Sequence, residues 1–207
     1  MWIKVCGLKD AANVSLVAGL GPDMMGFIFY EASPRYAGGL DPDVARALPW
    51  NIRRAGVFVD AGMQEILLTV KEYGLDTIQL HGDESPDQCA ALRGEGYSVV
   101  KAVGVAGTDD IRRAERYRES CDAVLFDRKS PSRGGTGEKF DWGLLESYDG
   151  TPFLLSGGIG PQDGEAVSAF RHPGFLGIDL NSRFETGPGM KDIGALRSFI
   201  EAVRREQ

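Results

Sequence analysis

The sequence predicts an α/β fold, a single (β/α)8 barrel with a parallel eight-stranded core spanning residues 1–207. Three observations lead there. Eight short β-rich runs recur along the chain, separated by Gly-rich or polar turns and amphipathic stretches. Most runs are near-continuous in apolar residues, the pattern of parallel strands covered on both faces by helices. No break in composition divides the chain, and no exact sequence period points to a solenoid. A doubly wound open sheet shows the same alternation, but the count of eight favours closure into a TIM barrel.

The strands are expected, in order, at Trp2–Cys6 (WIKVC), Met25–Tyr30 (MGFIFY), Ala55–Val59 (AGVFV) and Thr77–His81 (TIQLH). Val99–Val103 (VVKAV), Ala123–Asp127 (AVLFD), Phe153–Ser156 (FLLS) and Leu176–Leu180 (LGIDL) complete the set. Helices fall between them at Met63–Tyr73, Pro86–Arg93, Asp109–Arg118 and Pro161–Phe170, with a last one at Ile193–Arg204. Residues 109–118 alternate polar and apolar positions at helical spacing, and Pro161 or Asp163 suits a helix start.

Bulk properties narrow the function. The chain has 207 residues, 43% of them hydrophobic, enough for a sizeable core though short beside a typical barrel of roughly 250 residues. A formal net charge of -7 disfavours nucleic-acid binding through a general positive field, so an anionic ligand must be met by local donors. No apolar run approaches the ~20 residues that span a bilayer, and Met1–Gly7 lacks the layout of a signal peptide. Cys6, Cys89 and Cys121 are far apart with no CxxC pair, which suits a reducing cytoplasm better than a disulfide framework. With only His81 and His172, a multi-histidine metal centre is poorly supported.

In a closed barrel, chemistry belongs at the C-terminal strand ends. Those positions read Cys6, Tyr30, Asp60, His81, Val103, Asp127, Ser156-Gly157-Gly158 and Asn181-Ser182. Gly157-Gly158 and Asn181-Ser182 follow the seventh and eighth strands, where this fold commonly binds phosphate through backbone N–H groups. Cys6 and Asp127 form a candidate acid–base pair: a thiolate can remove a carbon-bound proton, and a carboxylic acid can donate one. The bland readings are a buried small hydrophobe for Cys6 and a loop cap or a partner of Arg128 or Lys129 for Asp127. Lys4, Gln79 and Lys101 sit inside apparent strands, where an unpaired ammonium is costly. Asp179, on the strand expected beside the first, is the candidate partner of Lys4. Arg35, in Ser33-Pro34-Arg35-Tyr36, offers a planar fork suited to a carboxylate. Ser132 to Gly137, with Gly135, Thr136 and Gly137, reads as a mobile glycine loop over the site. It lacks the spacing of a nucleotide-binding loop.

The segments IKVCGLKD, GFIFYEASPRYAG, GVFVD, IQLHGDES, VLFD, GGTGEKFDW, LLSGGIGP and GIDLNSRFETGPGMKD occur in one order over nearly the full chain. Together they resemble the phosphoribosylanthranilate isomerase family of tryptophan biosynthesis. The resemblance implies an Amadori rearrangement of a small phosphorylated substrate by acid–base catalysis, with no metal or organic cofactor. It implies Cys6 as general base and Asp127 as general acid. Arg35, Gln79, His81, Gly135, Thr136, Gly137 and Asp179 would face the substrate, and Gly157, Gly158, Asn181, Ser182 and Arg183 its phosphate. The chain departs from the family pattern at Arg183, where glycine is usual, at Arg128 after the aspartate, and at Ser156. Arg183 either changes the local backbone or adds a guanidinium to the phosphate site. Two other readings stay open: another phosphosugar barrel, such as the related histidine-pathway isomerase, and a silent phospholigand-binding protein.

Overall fold

The computed structural model describes residues 1–129 and 139–205. Eight strands close into a parallel barrel in sequence order. They are β1 (Trp2–Val5), β2 (Met24–Ile28), β3 (Arg53–Phe58), β4 (Thr77–Leu80), β5 (Ser98–Val105), β6 (Ala123–Arg128), β7 (Phe153–Leu155) and β8 (Phe175–Leu180). The predicted closed barrel is the observed one, with strand bounds moved by only a few residues. Closure is carried by β1 on β8, in register Trp2↔Gly177, Ile3↔Ile178, Lys4↔Asp179 and Val5↔Leu180.

Period-two alternation in the strands sorts the apolar residues into two cores. Val100, Ala102, Ala123, Leu125 and Leu154 form a small inner cluster, with Trp2 and Leu176 packed against it. The intervening residues, among them Ile3, Val5, Val99, Val124, Phe126 and Ile178, join the larger cluster between strands and helices. Helix α3 (Met63–Tyr73) turns Ile66, Val70 and Tyr73 inward, and α7 (Ile193–Arg205) buries Leu196, Phe199, Ile200 and Val203. Spacings of three and four residues put each set on one helix face. Helix starts are capped as their sequences suggest: Asp10 accepts from Asn13 N before α1 (Ala11–Ala18), and Ser85 accepts from Gln88 N before α4 (Pro86–Gly94). Gly74 closes α3 in the left-handed conformation.

Two connections differ from a plain strand–helix repeat. Between β6 and β7 the described residues hold only a single 3-10 turn, Trp142–Leu145. After β8 comes a 3-10 turn, Ser182–Phe184, then a short antiparallel hairpin of β9 (Glu185–Gly187) and β10 (Met190–Lys191). Strands of three and two residues carry too little alternation to stand out in sequence. The expected Asp109–Arg118 helix is α5 (Thr108–Ala114) followed by a 3-10 turn, Glu115–Tyr117. The expected Pro161–Phe170 helix is likewise a 3-10 turn, Pro161–Asp163, running into α6 (Gly164–Ala169).

Gly177 is the tightest point of the closure. A Cβ there would lie 2.0 Å from the Trp2 carbonyl oxygen, which is rigid backbone. Gly177→Ala should therefore destabilise the fold by about 1–3 kcal/mol, the cost of forcing atoms into a packed interior. Urea unfolding of the variant against the parent measures it; equal midpoints would show that the seam can open to admit a methyl group.

Candidate active site

The C-terminal ends of the strands surround a cavity of about 410 Å³. Its walls include Cys6, Tyr30, Arg35, Gln79, His81, Asp127, Ser156, Gly157, Gly158, Asp179, Asn181 and Ser182. The barrel thus gathers residues from opposite ends of the sequence into one space. Arg183 is not among the wall residues; it lies in the turn Ser182–Phe184, with its Cβ against Gly160. Gly135, Thr136 and Gly137 lie outside the described residues. Asp60, at the end of β3, also leaves the wall: it has φ 53° and accepts from Asp83 N at 2.6 Å, bracing two loops instead.

The floor is a buried ion pair. Lys4 Nζ donates to Asp179 Oδ1 at 2.9 Å, with the two side chains 1% and 6% exposed. The register of β1 on β8 puts the two residues side by side, the pairing expected from sequence. Burial alone would lower the pKa of the Lys4 ammonium, but the charge of Asp179 and the adjacent Cys6 outweigh it and raise it. Ser156 Oγ reaches the other Asp179 oxygen at 3.4 Å.

Cys6 sits one residue beyond β1, on the same strand face as Lys4, and its N–H donates to Leu180 O at 2.9 Å. Burial pushes its thiol up; the Lys4 ammonium, and more weakly that of Lys191, pull it back down, while Asp179 adds to the rise. Space for the sulfur comes from Gly26 on β2, where a Cβ would lie 2.7 Å from Sγ. Gly7 follows with φ +77°, and a Cβ there would lie 2.7 Å from both Arg35 Cδ and Asn181 Oδ1. The Cys-Gly pair is thus one chemical group and one bare backbone over which two wall residues close.

Across the cavity, Asp127 stands in line with Ala123 and Leu125 on the inner face of β6. Its Oδ1 accepts from Arg128 N at 2.8 Å, and Oδ2 lies 3.5 Å from His81 Nε2. Gln79 Nε2 is 3.4 Å from His81 Nδ1, and among the described residues the buried Gln79 Oε1 has no partner. Lys101, the other strand lysine, pairs with buried Glu84 at 3.1 Å and donates to the carbonyls of Leu80, Gly82 and Ala102.

Gly157 and Gly158 after β7 both adopt positive φ, 81° and 76°. Two successive left-handed residues suit only glycine and bare the backbone N–H groups to an approaching anion. A Cβ on Gly157 would also lie 2.7 Å from Arg128 N and 3.0 Å from Asp127 Oδ1. Arg35 lies across from Asn181, but its fork is already engaged: Nε donates to both Glu185 oxygens at 3.0 Å and Nη2 to Oε2 at 2.7 Å. Lys191 Nζ donates to Glu185 Oε1 at 2.6 Å and to Asn181 Oδ1 at 2.7 Å. Sequence reasoning missed Gly26, Glu185 and Lys191. The charged pair was visible only as part of the motif FETGPGMKD, with no period to place it.

Among the described residues no cluster of three His, Cys, Asp or Glu side chains could hold a metal ion, and no helix is long and apolar enough to cross a membrane. The arrangement offers a carboxyl group and a thiol on opposite walls, with an anion cradle beside them. That is the equipment for moving protons on a small anionic substrate.

The family described as N-(5'-phosphoribosyl)anthranilate (PRA) isomerase matches residues 3–202. The N-(5'-phosphoribosyl)anthranilate isomerase of Parabacteroides distasonis is 43% identical over 206 residues, covering 98% of this chain and 93% of its own. The crystal structure of phosphoribosyl anthranilate isomerase from Thermotoga maritima superposes with a TM-score of 0.86 at 33% identity, covering 99% of both chains. Another structure of this isomerase, in complex with reduced 1-(o-carboxyphenylamino)-1-deoxyribulose 5-phosphate, gives 0.83 at 31% identity with the same coverage.

The surroundings of Cys6 fix the sign of a pH effect. A thiol raised above its ordinary 9.0 stays protonated at neutral pH, and thiolate gains as pH climbs past the raised value. The thiolate absorbance of the parent minus that of Cys6→Ser should therefore emerge above pH 9, and in Lys4→Met at still higher pH. A Cys6 signal already complete at pH 8 would mean that the Lys4 charge overrides burial.

Proposed function

The chain belongs to the N-(5'-phosphoribosyl)anthranilate isomerase family of tryptophan biosynthesis, and we propose that its reaction is run by Cys6 as general base and Asp127 as general acid. The observation that carries this reading is one cavity walled by Cys6, Asp127 and the paired left-handed glycines 157 and 158. The substrate is N-(5'-phosphoribosyl)anthranilate. Its phosphate is held by the N–H groups of Gly157 and Gly158 with Asn181 and Ser182, and its carboxylate is met by Arg35.

Asp127 donates its proton to the furanose ring oxygen as the bond from that oxygen to C1′ breaks, leaving an iminium between C1′ and the anthranilate nitrogen. The Cys6 thiolate then takes the proton from C2′. The electron pair of that C–H bond forms the C1′–C2′ double bond, and the iminium π pair returns to nitrogen. The resulting enolamine tautomerises to 1-(2-carboxyphenylamino)-1-deoxyribulose 5-phosphate. The iminium is the electron sink, so these steps call on no cofactor. Lys4 supports the thiolate: its ammonium lies beneath Cys6 and is held charged by Asp179. A thiol with a raised pKa is less often ionised but a stronger base once it is, the Brønsted trade-off. His81, 3.5 Å from Asp127, orients the acid and can stabilise the carboxylate left after proton transfer. Gln79, on the cavity wall beside His81, faces the substrate. Three free buried thiols suit work in a reducing cytoplasm.

The test is loss of anthranilate-type fluorescence when reduced protein meets freshly made phosphoribosylanthranilate. Cys6→Ala and Asp127→Asn should each lower kcat by about 10²–10⁴-fold with the fold intact. Turnover undiminished in both variants would sink the acid–base assignment, and no turnover by the parent would sink the substrate.

A further inference from the structure

The hairpin after the last barrel strand sends two charged side chains inward, and neither gives up or takes a proton in the proposed steps. Lys191 is 0% exposed and Glu185 4%. Burying two charges is costly unless their geometry is good and their remaining valences are filled. Here residues of the cavity wall partner both charges. Glu185 takes Nε and Nη2 of Arg35, and its Oε1 also accepts from Gly189 N at 3.1 Å. Lys191 donates two of its three N–H bonds to Glu185 Oε1 and Asn181 Oδ1. The hairpin itself is pinned by Asn13, whose side chain accepts from Lys191 N at 2.8 Å and donates to Lys191 O at 3.0 Å. Burial pushes the Glu185 carboxyl up, but Arg35 and Lys191 outweigh it and hold it below its ordinary value.

Two consequences follow from donor chemistry alone. A lysine only donates, so the amide atom of Asn181 facing Lys191 is its oxygen, and the NH2 group is turned away from it. With Nε and Nη2 of Arg35 spent on Glu185, Nη1 is the guanidinium nitrogen without a protein acceptor among the described residues. Resting on the reading above, we propose that Glu185 and Lys191 are positioning residues for substrate recognition. Glu185 locks Arg35 so that Nη1 meets the substrate carboxylate, and Lys191 turns the Asn181 amide so that its NH2 meets the phosphate. An arginine and an amide held rigidly in advance lose little freedom when the anion arrives.

Two double-mutant cycles test this. In the first, KM and kcat are measured for the parent, Glu185→Gln, Arg35→Ala and the pair. Glu185→Gln should raise KM about tenfold, the scale of one charge-assisted hydrogen bond, with kcat changed less than about threefold. In the Arg35→Ala background it should add nothing. In the second, inorganic phosphate binding is measured by calorimetry for the parent, Lys191→Met, Asn181→Ala and the pair. Lys191→Met should weaken binding about tenfold in the parent and have no further effect once Asn181 is gone.

Losses that persist at full size in the Arg35→Ala or Asn181→Ala backgrounds overturn the proposal, because they mark a merely structural role. A KM lowered by Glu185→Gln also overturns it, since Glu185 would then only compete for Arg35. If Lys191→Met does not fold, Asn181→Asp replaces it. The aspartate keeps an oxygen for Lys191 but turns an oxygen toward the phosphate, so it should bind phosphate more weakly than Asn181→Ala; equal binding overturns the proposal. The phosphate cycle needs no turnover, so it decides the Lys191 role even if the parent fails to isomerise phosphoribosylanthranilate, a failure that would fall on the reaction itself.

Discussion

Closing the barrel means joining the first strand to the last, and at that seam an ammonium and a carboxylate are buried together. Lys4 and Asp179 are hydrogen-bonded partners 2.9 Å apart, contributed by chain segments 175 residues distant in sequence. Neither charge is stable alone in that interior. Their pairing needs β1 and β8 in one register, and a register slip of one residue would turn each side chain to the wrong face. Gly177 lets the backbones approach, and the pair keeps a positive charge directly beneath Cys6. The seam therefore links a folding constraint to the ionisation of the residue poised above it.

The same device recurs one level higher. Arg35, Glu185, Lys191 and Asn181 form a second polar tier over Gly7, with two cations to one carboxylate. A chain of net charge -7 thereby presents a locally cationic wall to an anion. Glycine does the complementary work. Gly7 and Gly26 clear space around Cys6, while Gly157 and Gly158 bare backbone donors beside Asp127. Reactive groups sit at strand ends held by the barrel, so their separation is set by rigid elements.

Much of this was legible in the residues. The apolar runs located all eight strands, because burial on both faces demands continuous hydrophobic sequence. The oddity of a lysine inside such a run pointed to a partner, and Asp179 was the natural choice once closure was assumed. Other features left no local signal. The hairpin strands β9 and β10 are too short for alternation to register, so nothing local places Glu185 and Lys191 at the site. Asp60 stands at a strand end like the wall residues, yet its left-handed backbone turns it to brace the loop at Asp83.

The residue pattern alone thus specifies the eight barrel strands and the residue types that end them. These are consequences of burial periodicity and turn chemistry, both local. Tertiary structure alone decided which strand-end groups share one cavity and which cation faces which carboxylate. It also decided that the Arg35 fork is held by Glu185 rather than lying open. The physical reason is range: a hydrophobic pattern is written within a few residues, whereas a charge partner is chosen by closure, across separations such as the 150 residues between Arg35 and Glu185.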